Sequence, residues 1–420
     1  MRTSTKSFAI TKRQVYDAWK RVKANRGAAG IDDETIAAFE KNLPRNLYTI
    51  WNRMASGSYF PPPVKEVGIP KKSGGIRFLG VPTVRDRVAQ TVVKEYLEQL
   101  LEPIFDPDSY GYRPLRSAQD AVRVTRQRCW KYDWLFEFDV KGAFDNLDHD
   151  LLMKALRRHT DCKWVLLYVG RWLKAPSISE SGKVLARNRG TPQGSVVGPV
   201  LMNLFMTYTF DRWMRQNVTS CPFARYADDG VVHCSSERQA LFVKKLLVER
   251  FAACGLELHP EKSRIVYCKD SDRQEEYPHV QFTFLGFTFR PRRAMSRHGK
   301  RFTSFLPGVS QEALTGMRQR IRSWHLPRQT PGTLYEFSKT YGSVLTGWWN
   351  YYGSFYPTAL RPVFRAFDQA LARWASRKYK RLSRRKCRSL HWVARVAQRD
   401  SYLFAHWQRK VAPGRTMGAV

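Results

Sequence analysis

FARYADDGVV, residues 223–232, is the stretch on which the fold turns. Two short apolar arms, Phe223 to Ala227 and Gly230 to Val232, flank Asp228-Asp229-Gly230, residue types favoured in tight hairpins. The pattern predicts a β-hairpin with buried arms and two adjacent acids at a tip facing a cleft. Because Asp-Gly is a common turn dipeptide, the stretch taken alone reads equally well as a plain turn. A further acid lies upstream. Asp139 closes WLFEFD (134–139), a nearly continuous apolar run of the buried-strand kind, where a carboxylate costs desolvation unless it is paired. If strand and hairpin lie side by side, Asp139 and Asp228 can hold a pair of Mg²⁺ ions, because carboxylate oxygens suit a hard octahedral cation that keeps positions for water and phosphate. Two such ions about 3.5–4 Å apart activate an attacking hydroxyl and steady the leaving oxygen, which is the chemistry of nucleotidyl transfer.

These acids are exceptions in a basic chain. Its 420 residues carry 72 Lys and Arg against 36 Asp and Glu, a formal charge of +36. With 43% apolar and 13% aromatic residues the chain can bury real cores, which excludes disorder. At this length two or three domains are expected. Such a charge implies a polyanionic partner, with nucleic acid foremost. No run of 18 apolar residues occurs, so a membrane role is not expected. The seven cysteines contain no C-x-x-C pair, which argues against a disulfide framework or a Cys-rich zinc site and predicts reduced, mostly buried thiols in a cytoplasmic protein. The start, MRTSTKSFAITKRQVY, lacks a secretory hydrophobic stretch and bears only a loose likeness to a transit peptide. From Pro291 onward there are 26 Lys and Arg against 4 acids, a net +22, which leaves +14 on the preceding 290 residues.

Outward from the hairpin, Val64 to Leu79 alternates around Ser73-Gly74-Gly75 and predicts a hairpin carrying Lys71, Lys72 and Arg77. Thr83 is expected to cap a helix whose face is Val84, Val88, Val92, Tyr96 and Leu100. Gln281 to Phe289 (QFTFLGFTF) reads as one strand with an aromatic face. Beyond 300 the pattern turns helical, with stripes Leu334, Phe337, Tyr341, Leu345, Trp348, Tyr352 and Leu360, Phe364, Phe367, Leu371, Trp374, which suggests a small bundle.

FDVKGAFDNLDH, TPQGSVVGPVLMNL and RYADDGVV, in that order, resemble the palm motifs of reverse transcriptases. Flanking blocks extend the resemblance to the bacterial group II intron reverse transcriptase/maturases over most of the chain. They are RVKANRGAAGIDD (21–33), IPKKSGGIRFLGVPTVRDRVAQ (69–90), YGYRPLRSAQDA (110–121), ELHPEKS (257–263), FLGFTF (284–289) and GWWNYYGSF (347–355). The resemblance implies an α+β right-hand polymerase, with fingers and palm built on antiparallel sheet, followed by an α-helical thumb/maturase domain and a basic C-terminal end. The expected divisions are 1–130, 131–290, 291–372 and 373–420. It also implies RNA-directed DNA synthesis from dNTPs, a DNA primer or target, and binding of intron RNA to aid splicing and retrohoming. The alternatives are a stand-alone enzyme of this lineage in repair or phage defence, and a splicing-only RNA-binding maturase.

Carried over position by position, Asp139, Asp228 and Asp229 would be the catalytic triad and, with the Val140 carbonyl, would ligate two Mg²⁺ ions, Mn²⁺ substituting. Lys71 and Arg77 would grip the triphosphate, Phe144 would lie under the sugar and exclude a 2′-hydroxyl, and Gln193 and Gly194 would line the nucleotide. Lys262 would protonate the pyrophosphate. Arg113 and Arg116 would contact template or brace the fingers, whereas Asp145 and Asp148 read as helix caps rather than ligands. The run Arg373, Arg377, Lys378, Lys380, Arg381, Arg384, Arg385, Lys386 and Arg388 contains no acid. With Trp374, Tyr379 and Trp392 interleaved, it is expected to meet phosphates while the rings stack on bases. The final 130 residues lack the paired cysteines of an HNH endonuclease, so that module is not expected, and the oligomeric state stays open.

Overall fold

The computed structural model describes residues 6–70, 74–296, 298–383 and 386–409. They form two compact units, one of residues 1–121 and 136–265, the other of residues 122–135 and 266–420.

In the first unit, β1 (Val64–Pro70) and β2 (Ile76–Val81) form the antiparallel hairpin expected around the glycines, with Lys65 opposite Val81. Two-residue strands β4 (Ser177–Ile178) and β5 (Val184–Leu185) extend it into a sheet ordered β2-β1-β4-β5. Thr83 caps the helix Val84–Leu101 by accepting from the Asp86 amide, as expected. Its buried face, however, swings from Val84, Val88 and Val92 to Leu97 and Leu101, while Tyr96 and Leu100 stay half-exposed. Residues four apart advance about 40° beyond a full turn each time, so a strict four-residue stripe leaves the core after three steps.

The central sheet is ordered β6-β7-β3-β8, from β6 (Phe223–Tyr226), β7 (Asp229–Cys234), β3 (Trp134–Asp139) and β8 (Arg264–Tyr267). Phe138, Phe210, Phe223 and Phe251 interlock beneath it at ring separations of 4.8–6.1 Å and are essentially fully buried. Each such side chain contributes roughly 1.5–3 kcal/mol by leaving water. That cluster packs strands β3 and β7, at whose ends the acids sit.

The second unit holds β9 (Phe282–Phe284), β10 (Phe287–Met295) and β11 (Arg301–Val309) in the order β11-β10-β9. Two sequence expectations are corrected here. QFTFLGFTF is two strands, not one, because Leu285 and Gly286 both adopt positive φ (53° and 79°) and close a two-residue turn. Phe282, Phe284, Phe287 and Phe289 all stay buried, since the two-residue turn sets Phe284 opposite Phe287 and Phe282 opposite Phe289. Residues 301–309 are strand, so the helical region starts later, at Gln311. From there the bundle follows the stripes in part: Phe337 and Leu345 of helix Leu334–Tyr352 join Phe364, Phe367, Leu371 and Trp374 of helix Arg361–Lys378 in one core, but Trp349 is buried there, whereas Leu334, Tyr341, Trp348 and Tyr352 are half-buried. Among the described residues no helix is long and apolar enough to cross a membrane. All seven cysteines are free thiols, five of them buried.

Candidate active site

The hairpin β6–β7 pairs Tyr226 with Asp229, so the turn is Ala227-Asp228 and not Asp-Asp-Gly. Asp229 and Gly230 belong to the strand, which removes the plain-turn reading of Asp-Gly. Since β7 lies beside β3, Asp228 and Asp229 come to the end of β3, where Asp139 closes the strand. The Asp139 carbonyl accepts from the His259 amide (2.7 Å) and the Lys141 amide donates to the Glu257 carbonyl (2.8 Å), with Val140 opposite Leu258 between them. In antiparallel pairing a residue so flanked turns its carbonyl away from that neighbour, which directs the Val140 oxygen to the opposite side.

The three carboxylates repel one another. Burial, a hydrogen bond shared with Asp139 and the nearby Asp228 charge push Asp229 up to about 8. Burial, reinforced by Asp139, also raises Asp228. Lys262 reaches in from an exposed loop to donate to Asp139 Oδ2 at 2.7 Å, which holds its ammonium above the usual lysine range. Half-buried acids with so little compensation fit a divalent cation. Among the described residues no three or more His, Cys, Asp or Glu side chains already form a metal cage.

Beneath the turn lies an arginine that the sequence reading passed over. Arg225 is fully buried and donates to both oxygens of Asp211 (2.7 and 2.6 Å), to Asn203 Oδ1 (3.2 Å) and to the Ala227 carbonyl (2.8 Å). Asp211 closes a π-helical turn, Thr207–Asp211, inserted between the helices Gly198–Met206 and Arg212–Asn217. Ala227 has φ 59°, a left-handed conformation that is unfavourable for alanine. The clamp thus holds strained backbone directly before Asp228.

On the fingers side, Arg77 donates to Gln193 Oε1, and Gln193 Nε2 donates to Asp145 Oδ2 at 3.0 Å. These residues, with Glu66, Phe78, Gly80 and Arg187, line a cavity of about 250 Å³. Gly194 (φ 122°) lies so close to the β2 strand that a Cβ would stand 2.4 Å from the Gly80 carbonyl oxygen. Phe144 is half-buried beside Tyr112. Lys71 lies outside the described residues. Asp148 caps the helix His149–Arg157 by accepting from the Leu151 amide, as expected.

The nucleic-acid assignments need correction. Arg113 is no surface contact: its buried guanidinium binds Glu102 and the carbonyls of Asp106 and Ser109, bracing its own loop. Arg116 is exposed, 5.9 Å from the Tyr110 ring. In the basic run, Trp374 is buried in the helical core and unavailable to a base, because it faces the interior of the bundle. Tyr379 and Trp392 pack on each other at 5.4 Å and are half-buried. Arg377 donates to the Pro327 carbonyl, and Lys378 to those of Pro331 and Gly332, so both also brace a loop. Arg373, Lys380, Arg381 and Arg388 are exposed, whereas Arg384, Arg385 and the Lys386 side chain lie outside the described residues.

Acids at the ends of the two central strands of a sheet, a basic hairpin and a glycine-pinned loop define a nucleotidyltransferase of the polymerase palm type. The chain belongs to the reverse transcriptase (RNA-dependent DNA polymerase) family, whose pattern matches residues 69–289. Residues 314–392 match the group II intron maturase-specific domain, and the two regions in this order mark the group II intron branch. The group II intron-encoded protein LtrA of Lactococcus lactis subsp. cremoris is 30% identical over 259 residues, 60% of this chain and 42% of that protein. Protein YkfC of Escherichia coli K12 is 32% identical over 196 residues, 46% of this chain and 51% of that one. The putative COX1/OXI3 intron 1 protein of Saccharomyces cerevisiae is 31% identical over 203 residues, 48% and 24% of the two chains. The chain thus matches about half or less of the length of these relatives. Enzymes of this family work with divalent metal ions and with nucleic acid partners that include RNA.

Proposed function

We propose that the chain copies RNA into DNA, the 3′-hydroxyl of a primer attacking the α-phosphate of a dNTP and pyrophosphate leaving. The convergence of Asp139, Asp228 and Asp229 at the ends of the two central strands carries this reading. Asp139, Asp228 and the Val140 carbonyl would hold two Mg²⁺ ions, with Asp229 beside them. Bound there, the ions supply a lowered pKa for the hydroxyl and neutralise charge on the phosphoryl oxygens.

The side chains do the rest. Arg77, already turned toward Gln193 at the cavity, offers a guanidinium fork to the triphosphate, and Lys71 adds a second cation. Phe144 would lie under the sugar, its ring colliding with a 2′-hydroxyl. Gln193 and Gly194 let backbone and amide approach the nucleotide closely. The protonated Lys262 ammonium can shift from Asp139 to give its proton to the departing pyrophosphate oxygen. The exposed Arg373, Lys380, Arg381 and Arg388 bind intron RNA, supporting a maturase role in splicing and in reverse splicing into DNA. The test is extension of a DNA primer on an RNA template with Mg²⁺ and dNTPs. Full-length, DNase-sensitive DNA product is expected, paired to an RNA template that RNase H then degrades. Retained RNA binding with no synthesis would replace it by a splicing-only role.

A further inference from the structure

Tyr112 takes no part in the proposed chemistry, yet its backbone is held in an unfavourable conformation beside the active-site turn. It adopts φ 55°, which an aromatic residue reaches only under constraint. The constraint comes from both neighbours. Gly111 lies against the turn so closely that a Cβ would sit 2.4 Å from the Ala227 nitrogen, and its carbonyl accepts from Asn203 at 2.7 Å. One residue earlier, the Tyr110 amide donates to the Arg225 carbonyl at 2.8 Å. On the other side Arg113 is locked by Glu102 and two backbone carbonyls. Tyr112 itself is 52% exposed, so the strain is not relieved by burial of its ring. Strain kept at an accessible position beside an active site points to use of the side chain.

The ring's surroundings say what that use is. Its centroid lies 6.4 Å from that of Phe144 at an interplanar angle of 85°, an edge-to-face contact, and 6.4 Å from that of Tyr226. Phe144 is only half-buried, so the Tyr112 ring is one of the groups that can set its rotamer. We propose that Tyr112 is a positioning residue for sugar selection: its ring fixes the Phe144 ring upright, so that Phe144 excludes ribonucleotides. This rests on the polymerase reading of the site. The phenol oxygen is not needed for it, because the contact is made by the ring.

Single-nucleotide incorporation on an RNA template gives kcat/KM for a dNTP and for the matching rNTP, and their ratio is the readout. Tyr112→Ala is expected to lower the ratio about tenfold, on the scale of coupling between touching side chains. Tyr112→Phe should keep it within about twofold, on the same scale. Adding Tyr112→Ala to Phe144→Ala should lower the ratio no further than Phe144→Ala alone. Tyr112→Gly relieves the backbone strain and should reproduce the alanine result, which keeps the test open should the alanine chain fold poorly. An unchanged ratio in the alanine and glycine variants, a loss in Tyr112→Phe equal to theirs, or full additivity with Phe144→Ala overturns the proposal and leaves the polymerase reading standing. No synthesis by the unaltered chain overturns both.

Discussion

Replacing Arg225 with Met separates the stability of the active-site turn from its geometry. The Arg225 and Asp211 side chains are both 0% exposed and share two short hydrogen bonds. Removing the guanidinium leaves the Asp211 carboxylate in an apolar interior, where burial already disfavours its charge and Arg225 is the chief opposing influence. Breaking a buried pair in this way costs about 3–5 kcal/mol. Against a net stability of roughly 5–15 kcal/mol that is a large fraction, and it should appear as a lowered urea midpoint followed by tryptophan fluorescence. Removing both partners, as Arg225→Met with Asp211→Leu, replaces ions by apolar volume and should recover most of the loss. Neither variant restores the donor to the Ala227 carbonyl, so primer extension should stay low in both, even where the double variant is as stable as the parent. A single variant that loses less than about 1 kcal/mol, well below the range for a broken buried pair, would refute the reasoning. So would a double variant that polymerises normally.

Four further outcomes follow. In divalent-free buffer, stability should fall as pH rises from about 4 to about 8: Asp229 keeps its proton in the folded chain up to about 8 but loses it near its ordinary value of 3.8 when unfolded. Melting temperatures at pH 5, 7 and 9 check this, and Asp229→Asn should flatten the slope. Arg113→Ala should cost about 2–3 kcal/mol through lost charge-assisted bonds while leaving RNA affinity unchanged in filter binding; weakened affinity with intact stability would return Arg113 to the template. Changing Arg373, Lys380, Arg381 and Arg388 together to Gln should flatten the dependence of log K on log salt by about 3, at roughly 0.7 per phosphate contact on single strands. An unchanged slope would show these residues to be merely solvated. Phe144→Ala should admit ribonucleotides on the same template, and unaltered sugar discrimination would make Phe144 a packing residue.

Much of this architecture is legible in the residue pattern because single strands and amphipathic helices announce themselves locally. WLFEFD reads as a buried strand and is one, and Thr83 lies where a helix cap belongs. The hairpin turn itself was misplaced by one residue, since Asp-Gly mimics a turn while the chain in fact bends at strained Ala227. The cause of that strain is not local: Arg225 is held by Asp211, 14 residues away, and by Asn203, 22 away, pairings that no periodicity reveals. The Leu285-Gly286 turn was legible only as a break in phase, the phenylalanines at 282, 284, 287 and 289 being two, three and two residues apart. Charge runs misled in another way. Composition cannot tell which cations meet solvent, and Arg113, Arg377 and Lys378 spend their donors on the protein's own carbonyls. For the same reason Trp374, read as a stacking platform, is part of the bundle core.

The carboxylate cluster is tested most directly by single-turnover incorporation of one dNTP on an RNA-templated primer, comparing the unaltered chain with Asp139→Ala, Asp228→Ala and Asp229→Ala at matched RNA binding. Each replacement should slow the chemical step by about a thousandfold or more, equivalent to about 4 kcal/mol of barrier. A rate for Asp228→Ala within tenfold of the unaltered chain would contradict the assignment of the active site.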